Sequence, residues 1–209
     1  PVPGELSPAV QPERHLPDNR FNDGRCDRQG RFWVGTMSDV RRDPVGTLYR
    51  LDADLRCTPM LGGIIIPNSL CWSPDGRTMY FADTNRHAIR AWDYDGNTGV
   101  ATRERVFADT GAGRPDGSCV DAEGCLWNCE YGAGRLVRYA PDGRVDRILE
   151  VLVDNPTCCC FGGALMDELY ITTARQRLSA EQLAAKPLAG SVLVARPGVR
   201  GLPEGRFAG

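Results

Sequence analysis

The chain has 209 residues, 42% of them hydrophobic and 25% charged, with 25 basic and 27 acidic side chains and a formal charge of −2. That length suits one substantial core, and charges of both signs, interspersed, exclude the polycationic footprint of a nucleic-acid binder. No run approaches the roughly 18 apolar residues of a membrane helix, so no membrane partner is expected.

Residues 1–19 are rich in proline and predict an irregular lead-in with no signal-peptide pattern. The sequence starts at Pro1 rather than methionine, which predicts a trimmed, processed or N-terminally incomplete chain. From Arg20 onward a polar cluster, an apolar run and an aromatic recur four times. Asn22-Asp23-Gly24 leads to Trp33, Pro67-Asn68-Ser69 to Tyr80, Pro115-Asp116-Gly117 to Trp127, and Asn155-Pro156-Thr157 to Tyr170. The clusters are expected to be turns. The aromatics lie 47, 47 and 43 residues apart, a period that belongs to β-propeller blades. After each aromatic a second strand is predicted, at Gly46–Leu51, Ala88–Trp92, Gly134–Tyr139 and Gly190–Val194. Ser73-Pro74-Asp75-Gly76, Asp93–Asn97 and Ala140-Pro141-Asp142-Gly143 are expected to close hairpins. Ser179 and Gln182 form a capping box that opens a short helix over Ala180–Lys186, and Pro187 stops it. No linker divides the chain, so residues 1–209 are expected to form a single propeller domain.

Nine cysteines, an odd number with no C-x-x-C pair, support neither a disulfide framework nor a zinc site. Most lie in apolar strand patterns, where a thiol behaves as a small buried hydrophobe. A reducing, cytoplasmic location is the expectation. With only His15 and His87 and no G-x-S-x-G elbow, a Ser-His-Asp hydrolase is unsupported. No phosphate loop and no H-E-x-x-H helix is present. What remains is a set of side-chain oxygens in repeat phase. Asn22, Asn68 and Asp116 lie 11, 12 and 11 residues before their aromatics, a phase that would bring them to one mouth of a central channel. Carboxylate and amide oxygens suit a hard divalent cation, although any one of them alone could equally cap a turn.

Arg20-Phe21-Asn22-Asp23-Gly24-Arg25, Gly35-Thr36-Met37, Pro67-Asn68-Ser69-Leu70, Pro115-Asp116-Gly117 and Cys158-Cys159-Cys160-Phe161-Gly162-Gly163 resemble the SMP-30/gluconolactonase/regucalcin family, from about Leu16 to Gly209. The resemblance implies an all-β, six-bladed β-propeller, with about four blades present here. It implies hydrolysis of a small-molecule sugar lactone with one divalent cation, calcium first and zinc, manganese or magnesium as alternatives. Asn68 and Asp116 fall on two of the family's metal ligands, and Arg20 and Asn22 on its substrate-binding pair. The family's third ligand, a glutamate, lies far upstream of the Arg20 motif, where this chain has nineteen residues. Asp39 stands one place early for a family acid and is left outside the site. Ser69 and Cys71 replace the commoner Gly and Asp.

The expected function is metal-dependent lactone hydrolysis, with Asp116 as both ligand and catalytic proton acceptor and no obligate protein partner. The alternative is a non-catalytic calcium-binding or scaffold propeller.

Overall fold

A computed structural model describes Gly4 and residues 6–209; the rest of the predicted lead-in, residues 1–3 and 5, lies outside the described residues. The chain folds as a β-propeller of four sheets in sequence order. Blade one holds β1 (Asn19–Cys26), β2 (Phe32–Ser38), β3 (Gly46–Leu51) and β4 (Cys57–Ile64). Blade two holds β5 (Pro67–Trp72), β6 (Thr78–Asp83), β7 (Ala88–Asp95) and β8 (Val100–Asp109). Blade three holds β9 (Arg114–Val120), β10 (Leu126–Tyr131), β11 (Arg135–Tyr139) and β12 (Val145–Glu150). Blade four has three strands, β13 (Pro156–Gly162), β14 (Glu168–Thr173) and β15 (Val192–Ala195), with helix α1 (Ala180–Ala185) before the last. Every pairing is antiparallel between neighbours, so hairpins build each blade.

The hairpin ends follow their turn chemistry. Asp95 accepts from the Asn97 amide (2.9 Å) and the Thr98 hydroxyl (2.9 Å), which folds the β7–β8 turn. Gly143 sits at φ +85°, and a side chain there would run into the Phe107 carbonyl. The capping box on α1 is made as expected: Ser179 Oγ accepts from the Gln182 amide, and Gln182 accepts from the Ser179 amide. Glu13 ties the lead-in to blade one, accepting from Asn19 (2.9 Å), Thr36 (2.9 Å) and Tyr49 (3.0 Å).

A single blade buries neither face fully, so stability comes from aromatic packing between blades. Trp33 meets Trp72 and Tyr94 between blades one and two, with ring centroids 6.0 Å away in each case. Phe107 bridges Tyr80 and Tyr139 between blades two and three. Trp127 packs edge-on against Phe161 between blades three and four. Trp33, Tyr80, Trp127 and Tyr170 occupy the same register, opposite Arg25, Cys71, Cys119 and Cys160 of the innermost strands. Each therefore faces the following blade. Tyr170 has no following blade to meet and stays 37% exposed, beside exposed Val192 and Val194.

Candidate functional site

The four polar clusters are not turns. Three lie inside an innermost strand and the fourth runs from Asn155 into the start of β13, each at an irregularity in pairing: between Phe21 and Gly24 in β1, between Asn68 and Cys71 in β5, opposite Asn128–Glu130 in β9, and between Pro156 and Cys158 in β13. A β-bulge of this kind re-aims side chains that a regular strand would send to its faces. The sequence shows the polar, glycine-bearing composition that bulges and turns share, so local pattern alone could not separate them.

Arg20, Asn22, Asn68 and Asp116 line one open cavity of about 270 Å³ at the N-terminal ends of these strands. Arg20 and Asn22 are exposed at its rim, Asp116 is half-buried and Asn68 is buried. Arg20 Nη1 donates to Asn22 Oδ1 (2.9 Å). Asn22 Nδ2 donates to the Pro67 carbonyl (2.9 Å) and to Asn68 Oδ1 (3.3 Å). Asn68 Nδ2 donates to Thr84 Oγ1 (2.7 Å), which in turn donates to the Pro115 carbonyl beside Asp116 (2.8 Å). One chain of hydrogen bonds thus orients side chains of blades one and two and ends on a backbone carbonyl of blade three, and it turns the Asn68 amide so that its oxygen faces Asn22.

Ser69, where Gly is commoner, sits at φ +56°, a left-handed conformation that disfavours a Cβ. Its hydroxyl supplies a compensating contact, donating to the Asp116 carbonyl (2.7 Å) while accepting from Asn128 Nδ2 (2.9 Å). Asn128 also donates to Ser118 Oγ (2.9 Å), and its own Oδ1 is buried with no partner among the described residues. The only sequence signal for Asn128 was a polar residue directly after Trp127 in an apolar strand. Asp39, left out by sequence reasoning, accepts from Arg20 Nε (3.0 Å) and pairs with Arg42 (3.5 Å). It steadies the Arg20 fork from outside the cavity.

Asp116 carries the electrostatic tension of the site. Burial, and then the nearby charge of Asp23, push its carboxyl up to about 8, only partly offset by the Gly117 amide. Burial also raises Asp23, against the stabilising amide of Leu70 (2.9 Å). Among the described residues no cation pairs with Asp116, and no three His, Cys, Asp or Glu side chains converge as a metal cluster. The donor set is therefore the Asn68 amide oxygen and the Asp116 carboxylate. Two oxygen donors, one of them an unpaired carboxylate beside a second acid, fit part of the shell of a hard cation.

The opposite end of the channel is closed. The C-terminal segment leaves blade four at Gly201, whose amide donates to the Met166 carbonyl (2.7 Å), and passes blade three, where the Ala122 amide donates to the Arg200 carbonyl (2.8 Å). It reaches blade one through an Arg28 bond to the Pro203 carbonyl (3.0 Å) and an Arg25–Glu204 ion pair (2.8 Å).

Comparison with known proteins agrees with this architecture. The family model for the SMP-30/Gluconolactonase/LRE-like region matches residues 2–175. The chain belongs to the SMP-30/gluconolactonase/LRE-like family. Among members of this family, a 6-deoxy-6-sulfogluconolactonase from Pseudomonas putida is 42% identical over 91% of this chain and 66% of its own length. Regucalcin from Gallus gallus is 37% identical over 96% of this chain and 70% of its own. The crystal structure of a calcium-binding protein, regucalcin, from Agrobacterium tumefaciens superposes with a TM-score of 0.93 at 36% identity, covering 98% of this chain and 70% of that one. The chain thus spans about two thirds of the length of these SMP-30-family relatives. Among its described residues, no helix is long and apolar enough to cross a membrane.

Proposed function

We propose that this protein hydrolyses a sugar lactone with the help of one divalent cation, calcium being the best-suited ion. The observation that carries the proposal is the Asp116 carboxylate: unpaired, raised to about 8, and lining one cavity with Asn68 and the Arg20–Asn22 pair. A bound cation at Asn68 and Asp116 would polarise the lactone carbonyl and acidify water. Arg20, a planar fork held by Asp39 and Asn22, binds ring and hydroxyl oxygens and fixes the lactone relative to Asp116. Asp116 accepts the proton of the attacking water. The water oxygen bonds to the carbonyl carbon, the ring C–O bond breaks, and the departing ring oxygen takes up a proton to give the open-chain acid. The name of the 6-deoxy-6-sulfogluconolactonase relative supports the reaction class, and a thiol-rich interior suits a cytoplasmic location.

The test is a pH-stat assay on glucono-1,5-lactone with added calcium and with EDTA. Acid release that stops in EDTA and returns with calcium is the expected result; no release under either condition overturns the proposal. A calcium-binding propeller without catalysis is the second reading, favoured by the likeness to a calcium-binding regucalcin and by the two-donor set. Calcium-dependent thermal stabilisation without acid release would select it.

A further inference from the structure

The cavity that holds Asn68 and Asp116 is also lined by four arginines, Arg20, Arg42, Arg114 and Arg177. The chain as a whole carries a formal charge of −2, so this concentration of one sign is local. Two of the four are accounted for, because Arg20 and Arg42 share Asp39. Arg114 and Arg177 are exposed, and neither makes an ion pair with the described residues.

Tyr131, in the same cavity, links the backbone stretches that carry these two arginines. In the β9–β10 ladder Tyr131 stands opposite Arg114. Its hydroxyl donates to the carbonyl of Gln176, the residue before Arg177 (3.1 Å). The phenol lies within electrostatic reach of both arginines and of Asp116. Arg177 itself is held at φ +65°, so the loop after β14 is bent at this point. Blades three and four therefore contribute two cations, without ion-pair partners among the described residues, to the cavity that blade one lines with Arg20 and Asn22.

A sugar with a neutral tail has no use for two unpaired guanidinium groups, which cost little in water but recognise carboxylate, sulfonate or phosphate oxygens in a matched fork. Basic side chains grouped in one cleft also raise the local potential and draw in anionic ligands. We infer that Arg114 and Arg177 form a subsite for a second, anionic group on the lactone, remote from the ring carbonyl, so that the substrate class is an aldonolactone bearing a sulfonate, phosphate or carboxylate. This inference rests on the lactone-hydrolase reading for the identity of the ligand, and on Arg114 and Arg177 for its charge.

The test is calorimetric binding of open-chain acids to the 209-residue protein in EDTA, which requires no turnover. Gluconate is the baseline; 6-phosphogluconate, 6-deoxy-6-sulfogluconate and glucarate each add one anion at the tail and separate phosphate, sulfonate and carboxylate. At least one of the three is expected to bind about tenfold tighter than gluconate, with the advantage shrinking as salt rises. In the Arg114→Gln/Arg177→Gln variant that advantage should vanish while gluconate affinity stays the same. Arg177→Gln alone, at an exposed loop position, should remove part of it and serves if the double variant misfolds. Equal affinity for all four acids, no binding of any, or an advantage that survives the double variant overturns the inference. Failure of the pH-stat assay with the tail-anion preference intact would instead overturn the catalytic reading alone.

Discussion

At the N-terminal ends of the innermost strands, Asn22, Asn68 and Asp116 line an open cavity, and Asp116 brings a carboxylate with no ion-pair partner among the described residues. At the C-terminal ends of the same strands, Arg25 does have its partner, Glu204, and the returning segment covers them, lining a small cavity of about 20 Å³ through Leu202, Glu204 and Gly205. Thiols rather than oxygens fill the interior between: Cys71, Cys119, Cys129 and Cys159 are all buried, and the Cys119 and Cys159 sulfurs lie 3.6 Å apart. The two ends share strands, twist and register. They differ in whether polar groups are satisfied within the protein, and a half-buried carboxylate with no ion-pair partner among the described residues is what a ligand-binding end requires.

Substitutions at the open end should act on chemistry and those at the closed end on stability. Asp116→Ala removes both ligand and proton acceptor and is expected to lower kcat by at least about a hundredfold in the pH-stat assay. Asp142→Ala, in an exposed β11–β12 turn where Asp142 only accepts from Arg144, should leave kcat unchanged. If the two variants behave alike, the contrast between the ends is lost. Arg20→Lys keeps the charge but loses the fork that Asp39 and Asn22 orient. It should lower kcat/KM by more than about tenfold, roughly 1.4 kcal/mol of transition-state binding. Wild-type kinetics would return Arg20 to the role of a surface ion pair.

The pH dependence sharpens the comparison further. The Asp116 carboxyl is raised in the folded protein, so its protonated form favours folding. That contribution is fully present below about pH 4 and is lost as pH climbs toward 8. Melting curves in EDTA should therefore show Asp116→Asn gaining stability over the wild type as pH rises through this window. Calcium should narrow the difference, because it favours the ionised wild-type carboxylate. A constant offset across the window would show that Asp116 is already compensated. At the closed end, Glu204→Gln strands the Arg25 charge. Glu204 is 46% exposed, so the cost is discounted from that of a buried pair to about 1–2 kcal/mol. Thermal melts should fall by a few degrees with kcat unaltered. The smallest effect is on the thiols: under native conditions a maleimide should label exposed Cys160 and spare buried Cys71, Cys119, Cys125, Cys129 and Cys159.

The blade period, the hairpin turns at Asp75, Asp95 and Asp142, and the capping box of α1 were legible in the sequence because each depends on residues a few positions apart, where turn and strand propensities act directly. Repeat phase also carried the choice of Asn22, Asn68 and Asp116, since equivalent strands present equivalent positions to one channel. Tertiary structure alone decided the rest. The polar clusters became bulges rather than turns because each strand had to keep pairing on both sides of them. Tyr170 stayed exposed because its register faces no further blade. Arg25 and Glu204 meet across 179 positions of sequence, and Tyr131 of blade three bonds the Gln176 carbonyl beside Arg177 of blade four. No local pattern records such contacts, because the energy that selects them comes from packing blades together and not from the conformational preference of any one segment.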